Sequence, residues 1–547
     1  MERHRGLVLY EDEHLLVVDK PAGLNTHSPD SYAGEGLYEW LRDREPRWAA
    51  LSIVHRLDKE TSGVMVLAKT GEARRSLTQQ FMAHTTGKVY VLLTDRPVTA
   101  ESLTVESTVV RAGPRYIAGP WTGATKEATA AGAAGTATGN RAVTRFTVLE
   151  RPRPGLTLVK AEPETGRTHQ IRAQAEAAGF PVLGDKLYGG TPAGRVCLHA
   201  EELLFKHPAT GDELHFRSPA DFAADPHLAL RAALVDPAET DAYRLIHGAA
   251  DGFPGWYVDR LGDYLLSQSE GRLDPARRRA LEGFLTSLAL RGAYHRPLRR
   301  DVRSSGPEET SPIHFLGEEA PEEFEVRENG LRFALSFKEG YSVGLFLDQR
   351  DNRRRFLTNH VAAGFPCIVA EPKGAEVLNA FAYTCGFSVC AARAGLRVTS
   401  LDLSRKYLDW GRRNMSLNGI DPAEHDFIYG DAFDWLRRLA RKGRVFAAIV
   451  LDPPTFSTSK QSGVFRAEKD YGRLVAGILP LLAPGGLLLA SSNAARLAPE
   501  DFVTAVKGAV AEAGRTVQTW HYAPQPPDFP VTRSEPAHLK TVWVRIE

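Results

Sequence analysis

The feature of this sequence that most restricts its fold is a regular alternation of apolar runs and amphipathic stretches after Phe346. Short apolar runs predict strands, and the stretches between them predict helices. Such an alternation is typical of a doubly wound, largely parallel sheet. The predicted strands are 377–379, 397–401, 446–451 and 486–490, and the predicted helices are 386–394 and a segment that Ser404 caps and that ends at 418–419.

Length and composition indicate a soluble protein of several domains. A chain of 547 residues is too long for one hydrophobic core, and 25% charged residues is ordinary for a globular protein. The net charge of +1 gives no overall attraction to nucleic acid, so an RNA site would have to be a local basic patch. Arginine clusters that could form one lie at 296–303, 353–355, 412–413 and 437–444.

Cysteine usage and hydropathy predict the compartment. The four cysteines show no Cys-x-x-Cys spacing, which argues against a zinc site or a disulfide framework and favours a reducing compartment. No apolar run approaches 18 residues, and the first six residues are polar. We therefore expect a cytoplasmic protein with no metal site, signal peptide or membrane span.

Three carboxylates follow predicted strands of the second half, namely Asp402, Asp431 and Asp452. Ligands of such sheets bind beyond the carboxyl ends of the strands. The loop 379–386 has one glycine, whereas a pyrophosphate needs Gly-x-Gly-x-x-Gly for close backbone approach. A cofactor without phosphates therefore fits better than a dinucleotide, and Asp402 is placed to bind ribose hydroxyls. These features predict an S-adenosylmethionine site, although carboxylates that merely cap helices are the structural alternative.

The phrase 452–456, Asp-Pro-Pro-Thr-Phe, is more specific, because two prolines stiffen a loop that follows a strand. It resembles the motif with which class I methyltransferases hold a planar base. Together with the phrases at 251–255, 344–350, 381–384 and 527–530, it makes residues 241–547 similar to the RlmI/RlmK group of large-subunit rRNA methyltransferases. The resemblance implies cofactor contacts from Asn379, Phe381, Ala382, Gly386, Asp402 and Asp431, and substrate contacts from Asp452, Pro453, Pro454 and Phe456.

The atom that accepts the methyl group is the main open question. Carbon 5 of cytosine becomes nucleophilic only after a thiolate adds to the ring, and cytosine-specific relatives carry that cysteine after the strand corresponding to 487–490. Here the chain reads Ser-Ser-Asn-Ala at 491–494, which is closer to the branch that methylates the 7-nitrogen of guanine. A ring nitrogen needs only alignment. We favour nitrogen and keep cytosine carbon 5 as the alternative, with Cys385 and Cys390 as packing residues.

The first half centres on residues 53–63, whose core is His-Arg-Leu-Asp at 55–58. The apolar run at 64–68 predicts a strand that fixes this loop at a sheet edge. A carboxylate held beside a cation can act as a covalent nucleophile, whereas a surface Arg–Asp pair is the structural alternative.

The phrase 55–63 resembles the signature of the RluA family of pseudouridine synthases, and further phrases at 19–24, 164–172, 180–190 and 198–200 follow the family's order. The resemblance covers about residues 6–222 and implies a mixed-sheet α+β domain that needs no cofactor. It implies that Asp58 is the nucleophile and that Arg172 is its ion-pair partner. It also implies that Tyr90 stacks on the uracil and that Arg56 helps to hold the flipped-out nucleotide.

The predicted architecture is multidomain. A pseudouridine synthase domain at 1–222 and a linker at 223–240 precede a small α+β accessory domain at 241–325 and a Rossmann-like α/β methyltransferase domain at 326–547. Residues 113–140, rich in Ala, Gly and Thr, predict a surface insertion, and 328–330 predict a hairpin turn.

The sequence therefore predicts a bifunctional enzyme that isomerises uridine and methylates a base in RNA, with large-subunit ribosomal RNA as the partner by resemblance only. Both reactions require a base outside its stack. The alternatives are an RNA-binding assembly factor with a decayed site and a methyltransferase that acts on a small metabolite. The modified nucleotides and the oligomeric state stay open.

Overall fold

The computed structural model describes residues 6–34, 36–121, 141–298, 311–340, 342–369, 374–459, 463–532 and 535–547. The chain forms two compact units. The first comprises Met1–His27, Gly36–Tyr38 and Ala50–Leu234, and the second comprises Ser28–Glu35, Glu39–Ala49 and Val235–Glu547. Helix α1 (Leu37–Arg44) begins in the first unit, and its residues from Glu39 onward belong to the second.

The first unit is built on one mixed sheet. Its strands are β1 (Val8–Glu11), β2 (Leu15–Lys20), β3 (Ser52–Ile53), β4 (Ser62–Ala68), β5 (Gly87–Thr94), β6 (Ser102–Ala112), β7 (Arg115–Pro120), β8 (Arg141–Arg153), β9 (Leu156–Pro163), β10 (Leu198–Lys206) and β11 (Glu213–Arg217). Its further helices are α2 (Gly71–Met82), α3 (Gln170–Ala177) and α4 (Pro226–Leu234). The strand order is β1-β2-β4-β10-β5-β9-β8-β6-β7, with β3 beside β4 and β11 beside β10.

A glycine sets the position of the loop that precedes β4. Strand β4 is buried along its whole length and runs parallel to β10, with Gly63 opposite Ala200. Gly63 has a φ of +121°, and a Cβ there would lie 2.2 Å from the carbonyl oxygen of Ala200. Only glycine permits this approach, so the pairing fixes where the loop 54–61 leaves the sheet.

Two predictions for the first half need correction. Part of the predicted insertion at 113–140 is strand β7, because its residues pair with β6, and 122–140 lie outside the described residues. Helix α4 lies within the predicted linker, where Leu230 and Leu234 are buried. Alanine and leucine favour a helix when an apolar face can be buried. The composition of 223–240 is therefore compatible with a packed helix, and it was not enough to predict a linker. The predicted domain boundaries stay a prediction.

The middle of the chain contributes a sheet and a hairpin to the second unit. Its elements are β12 (Ala242–His247), β13 (Trp256–Leu261), β14 (Tyr264–Ser269), α5 (Pro275–Ser287), β15 (Gly292–Pro297), β16 (Ile313–Gly317), β17 (Phe324–Glu328) and β18 (Leu331–Leu335). Strands β12 to β16 pair in sequence order, and β17 pairs with β18. Asn329 and Gly330 have φ values of 52° and 76°, which is the geometry of the predicted two-residue turn.

The predicted doubly wound sheet is confirmed. Its strands are β19 (Glu376–Ala380), β20 (Arg397–Asp402), β21 (Asp426–Tyr429), β22 (Phe446–Leu451), β25 (Leu482–Ser492), β26 (Val517–Tyr522) and β27 (Lys540–Ile546). A hairpin, β23 (Phe456–Ser459) and β24 (Gly463–Arg466), follows β22. The accompanying helices are α6 (Arg350–Thr358), α7 (Gly386–Arg393), α8 (Arg405–Leu417), α9 (Ala432–Arg441), α10 (Ala467–Ile478) and α11 (Pro499–Glu512).

In this sheet the strand order is β21-β20-β19-β22-β25-β27-β26. The five strands from β21 to β25 are parallel, and β27 runs antiparallel to both of its neighbours. The order reverses between β19 and β22, so their carboxyl ends border a crevice where ligands of such sheets bind.

Helix α6 is held by two buried ion pairs. Arg350 donates to both oxygens of Asp528 at 2.9 and 2.6 Å, and Arg353 donates to both oxygens of Glu328 at 2.6 and 2.7 Å. The fully buried Arg355 donates to the carbonyl of Val361 at 3.1 Å. Arg353 and Arg355 are therefore structural, and this arginine cluster is not the basic patch for RNA that the sequence allowed.

A short segment of the first fifty residues packs on the same helix within the second unit. Trp40 Nε1 donates to Asp351 Oδ2 at 2.9 Å, and Arg44 lies 3.7 Å from the other oxygen of that carboxylate. Glu45 pairs with Arg354, and the ring of His360 donates to the carbonyl of Arg42 at 2.8 Å. We call residues 39–49 the α6-binding segment.

We predict that Glu328→Ala lowers the free energy of unfolding by about 3–5 kcal/mol, since it leaves the Arg353 guanidinium buried and unpaired. The matched control is Glu325→Ala on the same strand, whose pair with Arg332 is exposed to solvent. Removing this surface pair should change stability by no more than about 0.5 kcal/mol. Urea denaturation of the full chain measures both, and equal losses would contradict the assignment.

Candidate active sites

The first unit contains a cleft of about 1240 Å³ into which the loop 54–61 projects. Strand β5 and the residues leading into α3 form other parts of its wall. Asp58, Arg56, Tyr90 and Arg172, all singled out from the sequence, line this one cleft. The structure thus brings together residues that are up to 116 positions apart, counting from Arg56 to Arg172.

The Arg172 guanidinium is fixed on one side and open on the other. Its Nε and Nη2 donate to Asp185 at 2.6 and 2.9 Å, and both side chains are almost fully buried. Its Nη1 lies 3.5 Å from Asp58 Oδ2 and 3.3 Å from Glu60 Oε2. Burial alone would lower the pKa of Arg172, but these carboxylates raise it well above its usual range, so the group stays cationic. Asp58 is therefore a part-exposed carboxylate beside a permanent cation.

Neutral side chains complete the wall around Asp58. Burial and the nearby Asp58 charge raise the pKa of the Tyr90 phenol, so it stays protonated. His169 precedes α3 in the left-handed conformation, and its Nε2 lies 3.8 Å from Asp58 Oδ2. Burial lowers the pKa of His169, and its Nδ1 lies 2.9 Å from the hydroxyl of Tyr188. Arg56 is exposed at the margin of the cleft.

A buried lysine supports the loop from beneath. Lys20 Nζ donates to the carbonyls of Pro21 and Leu24 at 2.9 and 2.7 Å and lies 3.4 Å from that of Lys59. Burial lowers the pKa of Lys20 to about 7. The lysine thus joins the loop 21–24 to the residue that follows Asp58. Three of these residues lie in motifs named above, but no role was predicted for any of them. They are Lys20 at 19–24, His169 at 164–172 and Asp185 at 180–190.

The second unit places Asp402 at the carboxyl end of β20. Its Oδ2 accepts from the backbone N–H of Tyr383, and its Oδ1 accepts from that of Ser404, both at 2.8 Å. Burial raises the pKa of this carboxyl group. The loop that it holds contains three non-glycine residues with positive φ, namely Phe381 at 62°, Tyr383 at 48° and Cys385 at 64°. Such conformations persist only where the surroundings impose them, and they often mark binding sites.

The other predicted cofactor residues border the same edge. Asp431 caps α9 by accepting from the N–H of Asp434 at 3.0 Å, and Ala382 donates its N–H to the carbonyl of Leu401 at 3.0 Å. Asn379 is buried, and its side chain donates to Ser388 Oγ at 2.8 Å. Gly386, the first residue of α7, packs against Arg353.

This arrangement fits S-adenosylmethionine. Carboxylates stand at the ends of adjacent strands, where a ribose and an adenine lie in sheets of this order. The loop between them offers backbone groups without a glycine-rich phosphate cradle. One N–H of the Asn379 side chain is already bonded to Ser388.

Asp452 follows β22 and is held by two uncharged donors. Ser491 Oγ donates to Oδ1 at 2.7 Å, and Gln349 Nε2 donates to Oδ2 at 3.1 Å. Burial and the charge of Asp348 raise its pKa to about 6. Sequence reasoning missed Ser491 as a donor. Gln349 lies in the motif at 344–350, but no role for this residue was predicted.

The predicted substrate residues continue from Asp452. Pro453 is buried, Pro454 is exposed and Phe456 starts β23. The Arg466 guanidinium lies 5.9 Å from the centre of the Phe456 ring. Asn493, just after β25, is exposed.

All four cysteine thiols are buried. Burial raises the pKa of Cys367 and Cys385 to about 12, raises that of Cys390 further and also raises that of Cys197. A thiol of this kind is not ionised at neutral pH and is a poor nucleophile.

The described ranges lack two other features. They hold no group of three or more His, Cys, Asp or Glu side chains suited to a metal ion. No helix within them is long and apolar enough to cross a membrane.

Comparisons with known proteins match both units. Residues 14–177 match the family described as RNA pseudouridylate synthase, and residues 256–545 match the family described as S-adenosylmethionine-dependent methyltransferase. A ribosomal RNA large subunit methyltransferase of Deinococcus radiodurans is 35% identical over 334 residues, which are 59% of this chain and 78% of the relative. The Ribosomal RNA large subunit methyltransferase I of Aeromonas salmonicida is 31% identical over 400 residues, which are 72% and 93%.

Two solved structures are also similar. A methyltransferase complexed with S-adenosylhomocysteine is 29% identical, has a TM-score of 0.49 and covers 56% of this chain and 76% of its own. Human RNA Pseudouridylate Synthase Domain Containing 1 is 24% identical, has a TM-score of 0.31 and covers 39% and 82%. From the family matches, the chain belongs to the S-adenosylmethionine-dependent methyltransferases and carries, earlier in its sequence, a pseudouridine synthase domain of the RluA type.

Proposed function

We propose that both sites modify RNA, that the methylated substrate is large-subunit ribosomal RNA, and that the methyl group goes to a ring nitrogen of guanine. The observation that carries the choice of atom is the set of groups around Asp452. Among the described residues, the hydrogen-bonding partners of this carboxylate are Ser491 and Gln349, and neither carries a thiol. The names of the relatives, which act on ribosomal RNA of the large subunit, support the choice of substrate.

In the synthase domain, Asp58 acts as the nucleophile toward the nucleotide whose uracil is isomerised. Isomerisation breaks the bond from the sugar to ring nitrogen 1 and makes one to ring carbon 5, while carbon 5 loses a proton and nitrogen 1 gains one. The bond that Asp58 forms to the nucleotide breaks again before release, and the base has to be free to turn in between. Arg172 orients Asp58, because Asp185 holds the guanidinium in one position. Tyr90 offers a neutral aromatic face to the uracil, and the exposed Arg56 helps to hold the flipped-out nucleotide.

In the methyltransferase domain, the chain's part is to bind and orient. S-adenosylmethionine supplies an electrophilic methyl group when it is bound. Asp402 accepts hydrogen bonds from the ribose hydroxyls with the lone pairs that Tyr383 and Ser404 leave free, and Asp431 lies against the adenine. Asp452 is ionised above about pH 6 and accepts from the N–H groups on the edge of guanine.

The state of the cysteines supports nitrogen over carbon 5. Carbon 5 of cytosine needs a thiolate that adds to the ring, but the thiols of Cys367, Cys385 and Cys390 are buried and strongly disfavour ionisation. The lone pair of a guanine ring nitrogen attacks without covalent help, so a fixed orientation of the base is enough. Pro453, Pro454 and Phe456 supply the rigid, flat surface for that purpose.

We expect Asp58→Asn to abolish pseudouridine formation and to leave methyl transfer unchanged in the same preparation, because the amide is not nucleophilic. Glu60→Gln is the matched control, since Glu60 contacts the same guanidinium nitrogen and is not the nucleophile. It should retain isomerisation. Mass analysis of nucleosides from treated ribosomal RNA measures both products, and residual isomerisation by Asp58→Ala would refute the assignment.

Asp402→Ala should weaken S-adenosylmethionine binding by roughly 1.5–3 kcal/mol, which is about tenfold or more, because charge-assisted hydrogen bonds to the ribose are lost. Asp421→Ala serves as the control, since Asp421 caps a short turn after α8 and is exposed. Titration calorimetry measures both. An unchanged affinity in Asp402→Ala would rule out this placement of the cofactor.

A variant with all four cysteines changed to Ser or Ala should keep its methyl transfer, provided that circular dichroism shows it folded. RNA that contains 5-fluorocytosine should leave no covalent protein–RNA adduct, because no thiolate adds to the ring. Denaturing gels detect such an adduct. An adduct that disappears with one cysteine substitution would establish the cytosine alternative instead.

A further inference from the structure

A second cavity of the first unit, of about 570 Å³, adjoins the synthase cleft. We call it the α2 groove, and it is lined by Ile53, Arg74, Arg75, Thr78, Gln79, Met82 and Ala83. Ile53, Thr78 and Met82 also line the synthase cleft, so the two cavities are neighbours that share part of their walls.

The α2 groove combines an apolar platform with cations. Met82 is 76% exposed, the highest value among the large apolar side chains in the described part of the chain, and Ile53, which lines the same groove, is half-buried. Arg74 and Arg75 are exposed on the opening turns of α2, and neither guanidinium group has a hydrogen-bonding or ion-pair partner in the part of the chain that the structure describes.

The two arginines differ from others on the same unit. Arg115, Arg151 and Arg217 each pair with a glutamate at 2.7–2.9 Å. Cations near the start of a helix are also unfavourable, because the helix dipole is positive there. Arg74 and Arg75 thus bring no evident benefit to α2 itself, which suggests that they serve a ligand.

Helix α2, which lines the groove, packs against the loop 54–61 that carries Asp58. The ring of Phe81, on α2, stacks on that of His55 with centroids 4.5 Å apart, and His55 Nε2 accepts from the backbone N–H of Val66. Burial lowers the pKa of His55 to about 3, so it is a neutral packing residue. Since His55 lies three positions before Asp58, the groove has a fixed relation to the nucleophile.

We propose that the α2 groove binds the RNA strand next to the flipped uridine. A neighbouring unstacked base rests on Met82 and Ile53, and the phosphates on either side of it bind Arg74 and Arg75. The wall shared with the synthase cleft and the complementary charge of phosphate both support this occupant. The inference rests on the proposed synthase function and adds a substrate-binding site to it.

The test measures the salt dependence of pseudouridine formation in the full-length protein, with a large-subunit ribosomal RNA transcript that the wild type isomerises. For Arg74→Ala/Arg75→Ala we expect KM to rise severalfold while kcat is retained. The slope of log(kcat/KM) against log[salt] should fall by about 1.4, which is about 0.7 for each lost contact with a single strand. Arg74→Lys/Arg75→Lys should restore the slope, because the charges return.

The matched control is Arg151→Ala/Arg217→Ala, which removes two exposed arginines that are paired with glutamate. Its slope and KM should equal those of the wild type. If Arg74→Ala/Arg75→Ala had the salt slope and the KM of the wild type, RNA binding by the α2 groove would be refuted. The same holds if the control variant showed an equal fall in slope and an equal rise in KM. If the wild type isomerises no transcript, or if Asp58→Asn still isomerises one, the proposed synthase function fails instead.

Discussion

The second unit depends on two guanidinium groups that are buried in one helix. Arg350 and Arg353 lie one turn apart on α6, and each meets a fully buried carboxylate through two hydrogen bonds. One carboxylate belongs to the hairpin β17–β18, and the other, Asp528, precedes β27. A buried charge without its partner is costly, so these pairs leave little freedom in where the helix lies. Gln349, immediately before α6, therefore reaches Asp452 in a fixed position.

The carboxylates of the two sites have different neighbours, since one contacts a cation and the other contacts uncharged donors. Asp58 lies beside a cation that a second carboxylate, Asp185, holds in place. Asp452 is held by the neutral donors Ser491 and Gln349, and burial raises its pKa toward the neutral range. The first environment suits a nucleophile. The second suits a group that receives hydrogen bonds from a base and can vary its charge with that base.

Sequence reasoning was most successful where information is local. The strands β19, β20 and β22, the Ser404 cap and the Asn329-Gly330 turn all follow from period, capping and turn chemistry, and the structure contains each of them. Contacts between distant residues were out of reach. Gln349 and Asp452 are 103 positions apart, and nothing near either one signals the other. The left-handed backbone of the loop 381–385 could not be predicted for another reason. Glycine is the usual sequence signal for a positive φ, but the residues with positive φ here are Phe381, Tyr383 and Cys385.

The α6-binding segment is synthesised long before the residues that it packs against. Trp40 meets Asp351 across 311 residues, and His360 meets Arg42 across 318. At a ribosome speed of about 5–20 residues per second, roughly 15–60 s pass between the synthesis of the two partners. Helix α1 has only eight residues and is too short to be stable alone. During that interval residues 39–49 lack their partners on and after α6, so a segment of the second unit that is made early is among the last to reach its final contacts.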